Sequence, residues 1–242
     1  MQARDRLIVA LDRSERDDIL RLADQLGDVA GALKIGLQAF VSNGPALVRE
    51  VVARGTRVFL DLKIHDIPNT AQHAAAEAAA LGAAMVTVHT AGGEAMLRAC
   101  ALVSSPGLRP PSPAGRERDA GPPLVLGVTV LTSLDEAELQ RIGFHGNVVD
   151  NAVRLARLAQ SAGLGGVVAA PQEIAAIREA CGGELVIVTP GIRPAGSEAG
   201  DQRRTTTPAA AIAAGADYIV VGRPITDARD PRAAALELLA SL

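Results

Sequence analysis

Eight short, nearly uninterrupted apolar runs punctuate this chain, and most are followed by a stretch rich in alanine and leucine. They occupy residues 7–11, 32–35, 58–62, 85–89, 124–130, 166–169, 185–189 and 218–221. They are rich in β-branched residues and almost continuous in hydrophobicity, as strands buried on both faces should be. Stretches between them, such as 19–26, 71–81 and 209–214, have helical character. Strands that alternate with helices imply a parallel sheet. Eight such units in 242 residues predict an α/β fold, a single-domain (β/α)8 TIM barrel over 1–242, rather than an open sheet. The core must be aliphatic, because 48% of the residues are apolar while aromatics make up 2% and tryptophan is absent.

One stretch breaks the alternation. Residues 104–123 are rich in proline, glycine, serine and arginine. They precede the fifth run, so they are expected to leave the bottom of the barrel as a surface insertion with little regular structure. A linker between domains fits less well, since neither side completes a fold alone.

Charge narrows the partners. With 24 basic and 27 acidic residues the net charge is -3, and no basic excess marks a nucleic-acid surface. Any phosphate site must be local. The first residues are polar and no run of 18 apolar residues occurs, so a cytoplasmic protein without a membrane segment is expected. Cys100 and Cys181 are far apart and lack metal-ligand spacing. Both read as small buried residues, and no metal site is expected.

Barrel enzymes carry their chemistry at the C-terminal ends of the strands. The polar residues there are unusual. Asp12 closes the first run, Lys34 lies in the second, Asp61 and Lys63 in the third, and His89 ends the fourth. Side chains alternate across a strand. Phe59, Asp61 and Lys63 therefore share one face, opposite Leu60 and Leu62. Ala32 and Lys34 share another, as do Ile8, Ala10 and Asp12. Two acids and two lysines converge on the barrel mouth from three consecutive strands. Such charges must be paired when buried. Structural ion pairs would explain any one of them singly, but explain the set less well.

After the seventh run come Pro190, Gly191 and Arg193, and after the eighth Gly222 and Arg223. Barrels commonly bind phosphate with these two loops, where glycines admit the ligand to the backbone and arginines supply a planar fork. The polar loop 194–207 reads as a lid or as a plain surface loop. His89 divides evenly between a network role and a satisfied core position. His65 points away from Lys63, His73 is expected in solvent, and His145 in a turn.

Several segments together resemble the orotidine 5'-monophosphate decarboxylase family over nearly the whole chain. They are LIVALD at 7–12, LKIG at 33–36, DLKIHDIPNT at 61–70, VTVLTS at 128–133, TPGIRP at 189–194, DQRR at 201–204 and DYIVVGRPIT at 217–226. The resemblance implies a carboxy-lyase of de novo pyrimidine biosynthesis that converts orotidine 5'-monophosphate to uridine 5'-monophosphate without a cofactor. It implies that Lys63 donates the proton and that Asp61 stands beside the leaving carboxylate. Lys34, Asp61, Lys63 and Asp66 would form the charged network. Asp12 and Lys34 would hold the ribose, and Thr132 the pyrimidine. Arg193, Gln202, Gly222 and Arg223 would hold the phosphate side, with Gln202 also reaching the base. Ile67 and Pro190 complete the implied substrate-binding set. Asp66 and Thr70 would serve the neighbouring site of a homodimer. Two alternatives remain at this level: a magnesium-dependent sugar-phosphate enzyme that reuses Asp-x-Lys-x-x-Asp, and a silent barrel that binds a nucleotide as a regulator.

Overall fold

The computed structural model describes residues 2–104, 122–193 and 205–242. Eight parallel strands close into a barrel in chain order: β1 (Leu7–Ala10), β2 (Ala32–Gly36), β3 (Val58–Ile64), β4 (Met85–His89), β5 (Leu124–Val128), β6 (Gly166–Val168), β7 (Val186–Thr189) and β8 (Tyr218–Val221). The α-helices between and around them are α1 (Ala3–Arg6), α2 (Arg16–Leu26), α3 (Leu37–Ala53), α4 (Pro68–Ala80), α5 (Glu94–Ala101), α6 (Glu136–Arg141), α7 (Val148–Ser161), α8 (Ile174–Cys181), α9 (Pro208–Ala213), α10 (Arg223–Thr226) and α11 (Pro231–Ala240). The chain is a single-domain TIM barrel, as its alternating pattern predicts.

Two apolar layers hold it together. Ile8, Ala10, Ala32, Phe59, Met85, Leu126, Val188 and Val220 fill the barrel interior. Their sequence neighbours, among them Val9, Leu33, Leu60, Val86, Ile187 and Val221, pack outward into the layer beneath the helices. The alternation is the two-residue period of a strand, here with both faces buried. In α2 the same layer receives Ile19, Leu22, Ala23 and Leu26, which recur at helical spacing.

Helix starts are set by local chemistry. The Asp135 carboxylate accepts from the Glu138 amide (2.9 Å), while Glu138 reaches back to the Asp135 amide (3.1 Å), a reciprocal cap on α6. Asn147 and Asp230 cap α7 and α11 in the same sense. Within α3, Gly44 at φ 68° followed by Pro45 kinks the helix, since proline removes a donor and glycine tolerates the left-handed angle.

Strand edges differ from expectation by one or two residues. β3 runs two residues further, to Ile64, β5 stops two short, at Val128, and β1 stops one short, at Ala10. The short α1 forms where only a polar terminus was expected; Arg6 of that helix donates to the Ala216 carbonyl at the base of β8 (3.3 Å). Most of the predicted insertion, residues 105–121, lies outside the described residues, but its ends do not. Ser104 donates to the Pro123 carbonyl (2.9 Å) just before β5, at the bottom of the barrel. No helix among the described residues is long and apolar enough to cross a membrane.

Candidate active site

The C-terminal ends of the strands surround a cavity of about 460 Å³. Phe59, Ala10, Val128, Val168 and Val220 form its apolar floor. One wall is a row of charges. The Lys34 ammonium from β2 donates to the Asp12 carboxylate at 2.9 Å and lies 3.5 Å from Asp61. Lys63 donates to Asp61 at 2.8 Å. The order is acid, base, acid, base, so each inner group has two neighbours of opposite sign. Lys34 and Asp61 are both buried, at 8% exposure each. Burial opposes both charges, but the neighbours prevail. Asp61 and Asp12 hold the Lys34 pKa above the ordinary lysine value. Lys34 and Lys63, with hydrogen bonds from Lys63 and Thr87, hold Asp61 below the usual carboxylate range. Both shifts favour the charged forms of Lys34 and Asp61. Gly36 makes room for it: a Cβ there would stand 2.8 Å from the Asp12 carboxylate and 2.9 Å from the Lys34 ammonium.

Lys63 reaches this row by an irregular route. β3 pairs Leu60 with Val86 and then Ile64 with Val88, so Asp61, Leu62 and Lys63 all stand opposite Thr87. This is a bulge. Within it Lys63 has φ 53°, and among the described residues it is the one non-glycine with positive φ. Simple alternation gives the right direction for Lys63, but the bulge and the left-handed turn are what aim it. Thr87 fastens the bulge. It accepts from the Lys63 amide (2.9 Å) and donates to the other oxygen of Asp61 (2.9 Å).

The loops after β7 and β8 bring the arginines to the same cavity. Gly191, Arg193, Gly222 and Arg223 line the cavity together with Pro190 and Thr132. Arg193 is buried and donates to the Ile192 carbonyl (3.0 Å). Burial first, then the nearby Arg223, lower its pKa from the ordinary arginine value. Both guanidiniums line the cavity, and each has the planar fork that suits a phosphate. The β7 loop is anchored where Ile192 bridges to Thr206, with the Arg193 amide donating to the Thr206 carbonyl (3.0 Å).

Asp12, Lys34, Asp61, Lys63, Thr132, Pro190, Arg193, Gly222 and Arg223 thus meet around one cavity. Asp66, Ile67 and Thr70 do not line it. They are exposed on the turn into α4, where Asp66 accepts from the Ile67 amide (2.7 Å). Gln202 and most of the loop 194–207 lie outside the described residues. His89 is half-buried, its ring 5.4 Å from that of His65, and it stands beside the charge row rather than in the cavity lining. Burial, then His65 and Lys63, keep its pKa below the ordinary histidine value, against the pull of Asp61. His73 is exposed, with its Nδ1 2.7 Å from the Asn69 carbonyl, and His145 sits in an exposed turn. Both cysteines are free and buried, and burial pushes the Cys100 thiol up to about 11.

Sequence reasoning passed over Thr87, Arg13 and Gln38. Arg13 and Gln38 line the cavity, and Arg13 pairs with Asp227. Thr87 carried a signal: it is a hydroxyl at an inward position between Met85 and His89.

Comparison with known proteins agrees over the full length. The family model described as Orotidine 5'-phosphate decarboxylase / HUMPS family matches residues 5–238. The orotidine 5'-phosphate decarboxylase of Moorella thermoacetica is 51% identical over 243 aligned residues, covering 100% of this chain and 94% of the relative. That of Vibrio cholerae is 48% identical, covering 98% of each. Among solved structures, the orotidine 5'-phosphate decarboxylase of Lactobacillus acidophilus superposes with a TM-score of 0.81 at 35% identity, covering 96% of both chains. An uncharacterized conserved protein from Geobacillus kaustophilus gives 0.80 at 36% identity, covering 97% of this chain and 98% of that one. A barrel with this charge row, matched end to end at such identities, belongs to the orotidine 5'-phosphate decarboxylase / HUMPS family.

Proposed function

We propose that this protein decarboxylates orotidine 5'-monophosphate to uridine 5'-monophosphate in pyrimidine biosynthesis, without a cofactor, and that Lys63 protonates the ring carbon once carbon dioxide has left. One observation carries the reading. The Lys63 ammonium, held 2.8 Å from Asp61, and the Arg193–Arg223 pair line the same cavity. A nucleotide whose phosphate meets the arginines would extend its base toward the charge row.

Loss of carbon dioxide leaves an electron pair in an orbital lying in the ring plane, where the ring carbonyls delocalise it poorly. The residues must then act by electrostatics and positioning. An ammonium about 4 Å from the developing carbanion is worth roughly 4 kcal/mol at an effective dielectric near 20. That is about three powers of ten in rate, so more must come from elsewhere. Asp61, ionised and buried, would stand against the substrate carboxylate, and that repulsion is relieved as carbon dioxide departs. Binding energy at the phosphate would offset the cost of this crowding. Asp12 and Lys34 would take the ribose hydroxyls and Thr132 the base. Gln202 would add a contact from the lid.

The reading includes a cytoplasmic homodimer in which Asp66 and Thr70 complete the neighbour's site, with Ile67 beside them in the substrate-binding set. Their exposure in a single chain supports it, as does the apolar surface at the same end of the barrel. Ile67 is 67% exposed, Leu37 58% and Val41 74%, all following the adjacent strands β2 and β3.

The first test is the absorbance change of orotidine 5'-monophosphate on mixing with the purified protein. Steady turnover to uridine 5'-monophosphate is expected, and its absence would end the reading. Arg223→Ala should then lower kcat/KM about 30-fold, the worth of a charge-assisted hydrogen bond, mostly through KM. Unchanged steady-state kinetics would remove Arg223 from phosphate binding.

A further inference from the structure

Among the described residues, Thr87 is the one hydroxyl hydrogen-bonded to both Asp61 and Lys63. It lies in the middle of β4 and is fully buried, with its side chain facing the barrel interior between Met85 and His89. Its hydroxyl has one proton and two lone pairs, so its two contacts fix its polarity. Asp61 is an acceptor, so the proton goes to the carboxylate (2.9 Å). The amide of Lys63 is a donor, so a lone pair receives it (2.9 Å). A single side chain thus links the Asp61 carboxylate to the strained backbone from which Lys63 projects.

We infer that Thr87 is a positioning residue for the decarboxylation, orienting the Asp61 carboxylate and clamping the bulge that aims Lys63. The inference rests on the reading of Asp61 and Lys63 as the reacting pair. Two physical arguments support it. A positive φ at a lysine persists only where surrounding contacts over-determine it, and the hydrogen bond from the Lys63 amide to the Thr87 hydroxyl is such a contact. A carboxylate with two free torsions is held in one plane when its two oxygens have different partners. Here Lys63 and Lys34 engage Oδ2, while Thr87 engages Oδ1. Without the hydroxyl, Asp61 Oδ1 and the Lys63 amide would each lose a partner in a buried place.

Thr87→Val keeps the shape and removes the hydroxyl, whereas Thr87→Ser keeps the hydroxyl. Thr87→Val is expected to lower kcat about 30-fold with KM changed less than about threefold, because the lost hydrogen bonds act on the reacting pair rather than on substrate affinity. Thr87→Ser should stay within about threefold of the wild type in kcat. The pH profile adds a readout that a purely structural role would not move. Asp61 is faced by Lys34, Lys63 and Thr87, with His89 and Asp12 nearby. Loss of the Thr87 donor disfavours the ionised carboxyl, so the acid limb of kcat/KM should move to higher pH in the valine variant and not in the serine variant. If the valine variant is insoluble, Thr87→Cys offers a weak donor of similar size; a fall of about tenfold in kcat upholds the role and wild-type kcat ends it. A valine variant with wild-type kcat and acid limb, or a serine variant as impaired as valine, overturns the inference. An inactive wild type would instead overturn the reading of the site on which it rests.

Discussion

Lys63→Ala is expected to give a folded barrel that turns over orotidine 5'-monophosphate at least about 10⁴-fold more slowly, since in the proposed mechanism one residue supplies both charge stabilisation and the proton. The fold should survive because Asp61 is not left alone. Lys34 stays 3.5 Å away and Thr87 still donates to it. Lys63 also lies at the cavity edge, with its side chain 35% exposed, so its removal opens no sealed void. Its midpoint of thermal unfolding should fall by no more than about 5 °C. Stopped assays over long incubations, paired with calorimetry, check both halves. A variant with wild-type turnover would remove Lys63 from the chemistry. A variant that is inactive because it does not fold would show instead that the charge row is needed for structure.

Asp66→Ala should be nearly as inactive, and mixing it with Lys63→Ala should restore activity to about a quarter of the wild-type level, given free exchange in a two-fold dimer. The arithmetic follows from the proposed sharing. Half of the randomly reassorted dimers are hybrids. In each hybrid one site lacks both residues and the other has both. Among the described residues Asp66 accepts from the Ile67 amide and stands outside the cavity lining, so the catalytic contribution proposed for it would require a second subunit. Exchange is followed by native mass measurement of tagged subunits. Proven hybrids without recovered activity would refute the shared site.

The barrel is legible in the chain because its strands are buried on both faces and separated by regular helical stretches. Alternation then assigns Phe59 and Asp61 to the interior and Leu60 to the outer layer, which is where they pack. The arginine loops are legible from their place after the seventh and eighth runs. What escapes is whatever depends on register between strands. The bulge in β3 is a mismatch against β4, and nothing in Asp61-Leu62-Lys63 alone announces it. Thr87 escapes for a related reason: attention to strand ends overlooks a hydroxyl in mid-strand whose importance comes from the bulge opposite. The helix α1 is only four residues long, too short to display a period. Arg13 and Gln38 sit on loops and a helix start, where no alternation points them at the cavity.

The left-handed turn at Lys63 sets the interests of folding and of chemistry against each other at one position. An L-residue with a side chain in that region costs about 1–2 kcal/mol, whereas glycine occupies it freely. Glycine at position 63 would relax the bulge, but it would also take from buried Asp61 an ammonium that stands 2.8 Å away. The two effects on stability oppose each other, and in the proposed mechanism the glycine variant would also lack its proton donor. The backbone angle at Lys63 thus marks a position where the side chain, and not the comfort of the backbone, accounts for the residue.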